Sequence, residues 1–337
     1  MNDVKPLLRI EDLRVHFPIG GLRLSRQRPV VHALDGVSLT VGRGETVGLI
    51  GESGSGKSTL SRTIMGVYRP TAGRVLFDGV DVHRAKGKAA RDIRRRMQMV
   101  FQNPYSSVNR RYTVTQIIQE PMKVQRLGSP AERQRRTYEL LDMVGLSRKL
   151  AGRYPHELSG GQLQRVGIAR ALSTNPDFLI ADEPTAALDV SVRAQVMNLL
   201  IDLKQELNLS LLFISHDLAS VSYIADRVAV LYLGRLVECA DTETLEHRPL
   251  HPYTQALLEA VPRPDPEAAR PYRAPIGEIP SPVNPPSGCY YHPRCPLAEQ
   301  RCRTEYPVIS TLSGGRLLAC HVRTRDQLPT GAPESVA

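Results

Sequence analysis

A glycine-rich stretch carries the clearest chemical pattern in the sequence. Residues 51–59 fit the phosphate-binding pattern G-x-x-x-x-G-K-[ST] without a mismatch. The glycines let successive backbone N–H groups turn toward phosphate oxygens, and the amino end of a following helix adds partial positive charge. The stretch therefore predicts a binding site for a nucleoside triphosphate, with candidate contacts at Gly51, Ser53, Gly54, Ser55, Gly56, Lys57, Ser58 and Thr59.

The polar residues at the end of this loop predict separate roles. Lys57 is expected to contact the β- and γ-phosphates, and the Ser58 hydroxyl is expected to bind Mg²⁺. Thr59 is better placed to satisfy a local backbone or phosphate group. The apolar run 46–50 predicts a buried strand before the loop, and the spacing over 59–65 predicts a helix after it. For the loop alone, a flexible Gly/Ser turn that matches the pattern by accident is the alternative.

Polar side chains also end two apolar runs farther along the chain. Gln102 follows the strand pattern 97–101, and Asp182 and Glu183 follow the strand pattern 178–181. Two adjacent carboxylates at a strand end are expected where one acid binds Mg²⁺ and the second orients a water molecule. This pattern indicates phosphoryl-transfer chemistry.

A second glycine pair opens a predicted helix. Ser159, Gly160, Gly161 and Gln162 precede the helical pattern 163–172. On spacing alone, Ser159 is an ordinary N-cap. The same backbone N–H groups and helix dipole are also suited to hold an anion.

The predicted elements around these residues alternate between strands and helices. Residues 7–17 and 30–41 predict two strands of a hairpin that precedes the phosphate loop, with Asp35-Gly36 as a turn signal. Phe17 either stacks on a nucleotide base or belongs to the core. The stretch 114–150 has helical periodicity interrupted at 128–130, where Ser129 or Pro130 is expected to start a helix. We therefore expect an α/β protein with a helical insertion.

Composition places few limits on function. The chain has 337 residues and 41% hydrophobic residues, enough for one large domain and a smaller one. No apolar run approaches the roughly eighteen residues of a membrane span, and the first residues do not resemble a secretory signal, so we expect a cytosolic protein. The net charge of +10 suits nucleic acid or an anionic membrane, but the short basic clusters are also explained by solvated helix faces.

Five motifs in this order resemble the ATP-binding-cassette (ABC) ATPases over roughly residues 7–262. They are the phosphate loop (Walker A), the signature Leu158–Gln162, the Walker B strand with Asp182 and Glu183, the segment 187–189 and His216. The resemblance implies an ABC-type nucleotide-binding domain over 1–262. It consists of a P-loop RecA-like core, an antiparallel β subdomain and a helical subdomain at about 103–155.

The family resemblance also implies how the residues act. Two cassettes close head to tail on two ATP molecules, so Ser159, Gly160 and Gly161 cap a γ-phosphate held by the partner. Within one chain, ATP and Mg²⁺ are the expected ligands. The implied roles are Mg²⁺ binding by Asp182, polarisation of water by Glu183, γ-phosphate contact by His216, water or metal contact by Gln102 and contact across the dimer by Asp189. From the residues alone, His216 is instead a strand-end histidine that caps the next helix.

The C-terminal part has a different composition. Residues 249–286 contain eleven of the 26 prolines, and we expect an extension over 263–337. Four of the five cysteines lie here, at Cys289, Cys295, Cys302 and Cys320, whereas Cys239 is expected to be an inert packed thiol. In the cytosol this grouping suggests a metal, with zinc or unmetallated thiols as alternatives. The stretch that starts at His251 resembles oligopeptide and dipeptide importers, and that resemblance predicts a [4Fe–4S] cluster on the four cysteines.

The resemblance implies an ATP-hydrolysing subunit that energises uptake of di- or oligopeptides. The implied partners are a second, related cassette in a heterodimer, two transmembrane permeases and, indirectly, a substrate-binding protein. The chain is then peripheral on the cytoplasmic face of the bacterial inner membrane. One alternative is an importer ATPase for nickel or another substrate, and another is a soluble ABC ATPase that acts on nucleic acid or ribosomes. An iron–sulfur electron carrier driven by ATP is a third.

Overall fold

Two β-sheets organise the chain. The structure, a computed structural model, describes residues 5–20, 28–260 and 277–327. In these residues, strands β1–β12 span Leu8–Pro18, Val30–Val41, Thr46–Ile50, Ala72–Phe77, Val80–Asp81, Met97–Val100, Phe178–Asp182, Ser210–Ile214, Arg227–Tyr232, Arg235–Asp241, Ser310–Thr311 and Leu317–Leu318. Helices α1–α12 span Lys57–Ile64, Gly87–Arg96, Pro104–Ser107, Val114–Val124, Pro130–Met143, Gly160–Leu172, Val190–Leu207, Leu218–Ile224, Thr242–His247, Pro252–Glu259, Gln300–Thr304 and His321–Gln327. Short 3-10 turns cover Arg148–Gly152, Pro155–Glu157, His292–Arg294 and Ser313–Gly315.

The smaller sheet is antiparallel and has the strand order β2-β1-β4-β5. The predicted pairing of β1 with β2 is confirmed, but the predicted turn at Asp35-Gly36 is wrong. Leu13 pairs with Val37 and Arg14 pairs with Asp35, so Gly36 is an extra residue within β2. This register shift is a β-bulge, and the φ of 95° at Gly36 is the left-handed backbone that a turn would also need.

The larger sheet has the order β11-β12-β10-β9-β3-β8-β7-β6. The five strands from β9 to β6 are parallel to their neighbours, and β10 is antiparallel to β9. Every residue of β3, β7 and β8 is buried, as expected for strands covered on both faces. The carboxyl ends of these parallel strands therefore point toward one edge, where polar residues can meet.

The helical segment is built on strongly capped helices. Ser129 caps α5 and exchanges hydrogen bonds with Glu132, and Thr113 caps α4 in the same way with Gln116. The helix start predicted at Ser129 or Pro130 is therefore confirmed. Helix α4 packs against α5 and α6. In the described part of the chain, no helix combines the length and the apolar character that a membrane crossing requires.

Residues 277–327 pack against both sheets. Strand β12 adds to the larger sheet beside β10, and the buried Arg316 guanidinium forms an ion pair with Glu238 of β10. The Tyr290 hydroxyl donates to Asp35 at 2.6 Å, which ties the segment to the smaller sheet. The domain boundary predicted at 262–263 and the proline-rich stretch 261–276 lie outside the described residues.

Candidate functional site

A cleft of about 670 Å³ lies where the two sheets meet above the amino end of α1. This volume is in the range of small-ligand sites, roughly 300–1,000 Å³. The cleft brings together nucleotide-site residues predicted from distant parts of the sequence. Its lining comprises Phe17, Val31, Ala33, Ser53, Gly54, Ser55, Gly56, Lys57, Ser58, Thr59, Gln102, Glu183, His216 and Pro282.

The glycine loop between β3 and α1 forms the floor of the cleft. Gly51 has a φ of 155°, and a side chain there would lie 2.2 Å from the Leu231 carbonyl oxygen. Gly56 is the N-cap of α1 with a φ of 104°, and it provides no side-chain cap for the helix. The N–H groups of the first turn, which lack helical partners, are therefore available to an anion.

Lys57 closes the loop from inside. Its buried ammonium donates to the Gly51 carbonyl oxygen at 2.6 Å and to the Glu52 carbonyl oxygen at 3.0 Å. Burial lowers the pKa of Lys57, and the charges of Glu183, Asp182 and Glu52 oppose that shift. The lysine thus holds the loop in shape and carries a positive charge beside the cleft.

Asp182 ends β7 as a buried carboxyl group. It is 7% exposed and accepts a hydrogen bond from the Ser61 hydroxyl at 3.2 Å. Burial raises the pKa of Asp182, because the charged form loses its hydration. A divalent cation would stabilise the charged form, and carboxylate, hydroxyl and amide oxygens are ligands that suit Mg²⁺. The residues present therefore fit a magnesium ion, with Ser58 exposed one turn before Ser61 on α1.

Glu183 connects the ends of three neighbouring strands. Its carboxylate accepts a hydrogen bond from the Gln102 amide at 2.8 Å, and the His216 Nδ1 atom lies 3.4 Å from its other oxygen. The Glu183 backbone has a φ of 47°, and its N–H donates to the Ile214 carbonyl oxygen. Helix α8 is capped by Asp217, so His216 is not the helix cap of the alternative hypothesis. A carboxylate held this way can orient a water molecule in the cleft.

Phe17 lies at an apolar part of the cleft lining. Its ring packs edge-on against Tyr68, with ring centroids 5.1 Å apart. It shares the lining of the cleft with Val31, Ala33 and Pro282. This apolar end can accept the flat ring of a base.

The signature residues lie elsewhere on the surface. Ser159 caps α6 and exchanges hydrogen bonds with Gln162 at 3.0 and 3.3 Å. Asp189 is an exposed N-cap of α7 without a side-chain hydrogen bond to that helix. Over the residues that the structure covers, the cleft lining includes none of Ser159, Gly160, Gly161, Gln162 or Asp189. The signature residues therefore lie apart from the cleft that the Walker residues line.

The prediction of an iron–sulfur cluster is wrong. Cys289, Cys295, Cys302 and Cys320 are free thiols, and burial raises the pKa of Cys289 to about 12 and of Cys295 to about 11. In residues 5–20, 28–260 and 277–327, no cysteine belongs to a group of three potential ligand atoms within 4.8 Å of one another. We therefore assign no cluster to these cysteines.

The one such group in the described part of the chain is also unsuited to a metal. It comprises His16, His32 and Asp35. Asp35 already accepts hydrogen bonds from the Tyr290 hydroxyl and from the Arg235 guanidinium, both at 2.6 Å. The neighbouring guanidinium charge disfavours a cation there.

Cys239 is buried in β10 and accepts a hydrogen bond from Arg227 at 3.4 Å. Burial raises the pKa of Cys239, which agrees with the expected inert thiol.

Sequence reasoning missed three residues near the cleft. Arg294 pairs with the Glu52 carboxylate, the Tyr253 hydroxyl accepts the Glu52 N–H, and Pro282 lines the cleft itself. Arg294 is 242 residues from Glu52 in the chain, so no local pattern relates them.

Two family models match the chain. Residues 34–186 match the model described as "ABC transporter", and residues 237–302 match "Oligopeptide/dipeptide transporter, C-terminal region". A solved dimer of the ATP-binding cassette MJ0796, in a post-hydrolysis state with ADP and Pi, is 31% identical with a TM-score of 0.62. The match covers 70% of this chain and 98% of that chain. The chain therefore has the ABC nucleotide-binding fold, of mixed α and β content.

Full-length relatives are also similar. The "Probable peptide ABC transporter ATP-binding protein y4tS" of Sinorhizobium fredii is 52% identical, with 98% of this chain and 94% of the relative covered. The "Putative oligopeptide transport ATP-binding protein YkfD" of Bacillus subtilis is 49% identical, with 94% and 95% covered. These names mention ATP binding and peptide transport but no iron–sulfur cluster. The chain therefore belongs to the family of ABC transporter ATP-binding proteins and is an ABC ATPase.

Proposed function

We propose that this chain is the ATP-hydrolysing subunit of an ABC importer for di- or oligopeptides. The match of residues 237–302 to the oligopeptide/dipeptide transporter C-terminal region carries this proposal, because other ABC ATPases share the cassette. The similarity to proteins named for peptide transport over nearly the whole chain supports it. The same observations favour peptides over nickel or nucleic acid.

In the proposed mechanism, the base of ATP lies against Phe17 and the triphosphate lies along the glycine loop. The N–H groups of residues 53–59 bind phosphate oxygens, and Lys57 turns from the loop carbonyl groups to the β- and γ-phosphates. Ser58, Gln102 and Asp182 would hold Mg²⁺, and the ion would supply positive charge that neutralises the phosphates. The apolar and polar ends of the cleft then fix the orientation of the nucleotide.

The water that attacks the γ-phosphate is oriented by Glu183. Its carboxylate accepts a hydrogen bond from the water, while Gln102 and His216 keep the carboxylate in place. His216 is 63% exposed in its side chain and can reach the γ-phosphate after nucleotide binding. The carboxylate and the imidazole thus align the water with the phosphorus atom.

A second cassette completes each site. Ser159, Gly160, Gly161 and Gln162 present a capped helix end at the surface and reach the γ-phosphate bound by the partner. Asp189 connects the two sites. We infer a heterodimer with a related cassette, in which ATP closes the dimer and hydrolysis reopens it.

The remaining partners lie in and across the membrane. Two permease subunits bind the helical segment at about 103–155, where Tyr105, Val124 and Tyr154 are exposed. A substrate-binding protein acts indirectly through the permeases. The chain is then a peripheral protein on the cytoplasmic face of the bacterial inner membrane. Residues 1–262 form the cassette, and residues 263–337, rich in proline and cysteine, form a C-terminal extension.

Peptide uptake tests the proposed function. Cells of the source bacterium that lack this chain are expected to lose uptake of a labelled tripeptide, and the wild-type chain is expected to restore it. The Lys57→Ala variant, which lacks the ammonium group proposed to contact the phosphates, is expected not to restore uptake. Unchanged peptide uptake with loss of nickel uptake contradicts the peptide assignment. Salt-sensitive binding of the purified chain to DNA or RNA, without association with permeases, contradicts the transporter assignment.

A further inference from the structure

Glu52, the second residue of the phosphate loop, is held by an arginine from the C-terminal segment. The Arg294 guanidinium contacts both carboxylate oxygens of Glu52, at 2.8 and 3.0 Å. The side chains of Arg294 and Glu52 are 4% and 20% exposed. A planar, two-point pair between a buried guanidinium and a partly buried carboxylate fixes the direction of the carboxylate more tightly than a single contact does.

The backbone of Glu52 is fixed from the same side and connects to the nucleotide contacts. The Glu52 N–H donates to the Tyr253 hydroxyl at 2.8 Å. The Glu52 carbonyl oxygen accepts hydrogen bonds from the Lys57 ammonium at 3.0 Å and from the Ser55 N–H at 3.1 Å. A change in the position of Glu52 therefore moves the loop on which Lys57 and Ser55 depend.

An aromatic wall holds Arg294 in place. The guanidinium lies 5.8 Å from the Tyr232 ring centroid and 5.7 Å from that of Tyr291, and it donates to the Tyr232 hydroxyl at 3.4 Å. The rings of Tyr232, Tyr253 and Tyr291 pack against one another with centroids 4.6 to 5.4 Å apart. Because the packed rings already hold the guanidinium in position, the arginine loses little side-chain entropy when it pairs with Glu52.

The ion pair of Arg294 with Glu52 also balances charge beside the phosphate loop. Glu52 adds a negative charge to a loop that must receive a polyphosphate, and Lys57 already faces Glu183 and Asp182. The Arg294 charge neutralises Glu52, and hydrogen bonding to Glu52 raises the pKa of Arg294 further above its usual range. If Arg294 were removed, the partly buried Glu52 carboxylate would keep its negative charge and would repel the nucleotide.

The same segment reaches the other end of the cleft. Pro282 lines the cleft beside Phe17, and its carbonyl oxygen accepts the His32 N–H at 2.9 Å. The C-terminal segment therefore contacts the cleft at its base end and supports it at its phosphate end.

We propose that Arg294 is a positioning residue for ATP binding, which couples the C-terminal segment to the phosphate loop by fixing and neutralising Glu52. This inference rests on the proposed function, in which the cleft binds MgATP. It assigns to the C-terminal segment a direct influence on nucleotide affinity.

The test is the Kd of a fluorescent ATP analogue with Mg²⁺ for the full-length chain. Arg294→Met is expected to weaken binding roughly tenfold, because it removes a two-point charged contact. Arg294→Lys retains the positive charge but not the planar guanidinium that contacts both carboxylate oxygens. We therefore expect a Kd between those of the wild type and Arg294→Met. Glu52→Gln in the Arg294→Met background is expected to restore most of the affinity, because it removes the repelling charge. In the assembled complex at saturating ATP, the turnover of Arg294→Met is expected to stay close to that of the wild type, so that KM changes and kcat does not.

Arg316→Met is the matched control. It breaks another buried arginine pair of the same segment, to Glu238 of β10, and is expected to lower the unfolding temperature without changing the Kd. Equal Kd values for wild type and Arg294→Met overturn the inference. Equal losses of affinity in Arg294→Met and Arg316→Met, without recovery by Glu52→Gln, also overturn it, because they show only general destabilisation. A wild-type chain that does not bind the analogue contradicts the proposed function itself.

Discussion

Glu183 is the residue at which the ends of β6, β7 and β8 converge. Glu183→Gln keeps the side-chain shape but removes the negative charge that we propose polarises water. We expect ATP turnover in the assembled complex to fall roughly 10²- to 10⁴-fold, with nucleotide affinity nearly unchanged. Phosphate release and the Kd of an ATP analogue measure the two effects.

The matched control for this change is Glu139→Gln. Glu139 forms surface ion pairs with Arg135 and Arg136, so its loss is expected to leave turnover unchanged. Wild-type turnover in Glu183→Gln would mean that another group orients the water.

His251 predicts a pH dependence of stability. It is 1% exposed, its Nδ1 atom accepts the Tyr253 N–H at 3.1 Å, and burial lowers its pKa to about 3. The ordinary pKa of histidine is about 6.5, so the unfolded chain takes up this proton first as the pH falls. The contribution of His251 to stability is therefore complete above pH 6.5 and is lost between pH 6.5 and 3. Between pH 7 and pH 5 we expect a loss of about 2 kcal/mol from this group.

Urea unfolding at pH 7 and pH 5 measures this loss. His251→Asn retains an acceptor for the cap of α10 but does not titrate, so its stability is expected to depend less on pH. An equal pH dependence in wild type and His251→Asn would show that groups other than His251 dominate the pH dependence of stability.

At the residue scale, the sequence predicts what is local. The loop from Gly51 to Thr59 follows from one contiguous pattern, and the meeting of Gln102, Glu183 and His216 follows from strand ends that share an edge. The Arg294 contact with Glu52 has no such basis, because tertiary packing alone brings the two residues together.

At the scale of elements, continuous apolar runs predict the buried parallel strands. The same patterns do not distinguish a turn from a bulge. Asp35-Gly36 has the chemistry of a turn, yet Gly36 forms a bulge because both structures need positive φ. Strands β11 and β12 have two residues each, which is too short for any hydrophobic period. Their place in the larger sheet depends on packing that the sequence pattern does not express.

The junction of α6 with α7 predicts a steric effect. A Cβ atom on Gly161 would lie 2.4 Å from the Val192 Cγ1 atom of α7. Gly161→Ala is therefore expected to lower the free energy of unfolding by about 1–3 kcal/mol, as measured by denaturant unfolding. The double variant with Val192→Ala is expected to recover part of the loss.

Gly167→Ala is the control on the same helix. Its Cβ atom would meet nothing within 4 Å, and alanine is expected to stabilise a helix interior by about 0.5–1 kcal/mol. Equal stability changes at Gly161 and Gly167 would contradict the close packing of α6 on α7.

At the scale of the whole molecule, the proposed dimer gives the chain half of each of two sites. Its cleft holds the Walker residues, and its signature lies on another part of the surface. This separation follows from the order of motifs only through the family resemblance, because strand and helix patterns do not show which surface faces a partner. In the proposed assembly, a complete site requires two cassettes, and the two halves can be tested separately.

Gly160→Asp tests the signature half of the site separately from the cleft that binds ATP. A Cβ atom at Gly160 would lie 3.7 Å from Leu188, an ordinary contact, so the fold is expected to accept the change. The new carboxylate places negative charge at the helix end that we propose to bind the partner's γ-phosphate. We expect ATP turnover of the purified importer complex to fall by at least half, since the signature serves one of two sites. The isolated chain should bind the ATP analogue with wild-type Kd, and Gly160→Ala should retain turnover. Full turnover in Gly160→Asp would show that the γ-phosphate is not bound head to tail.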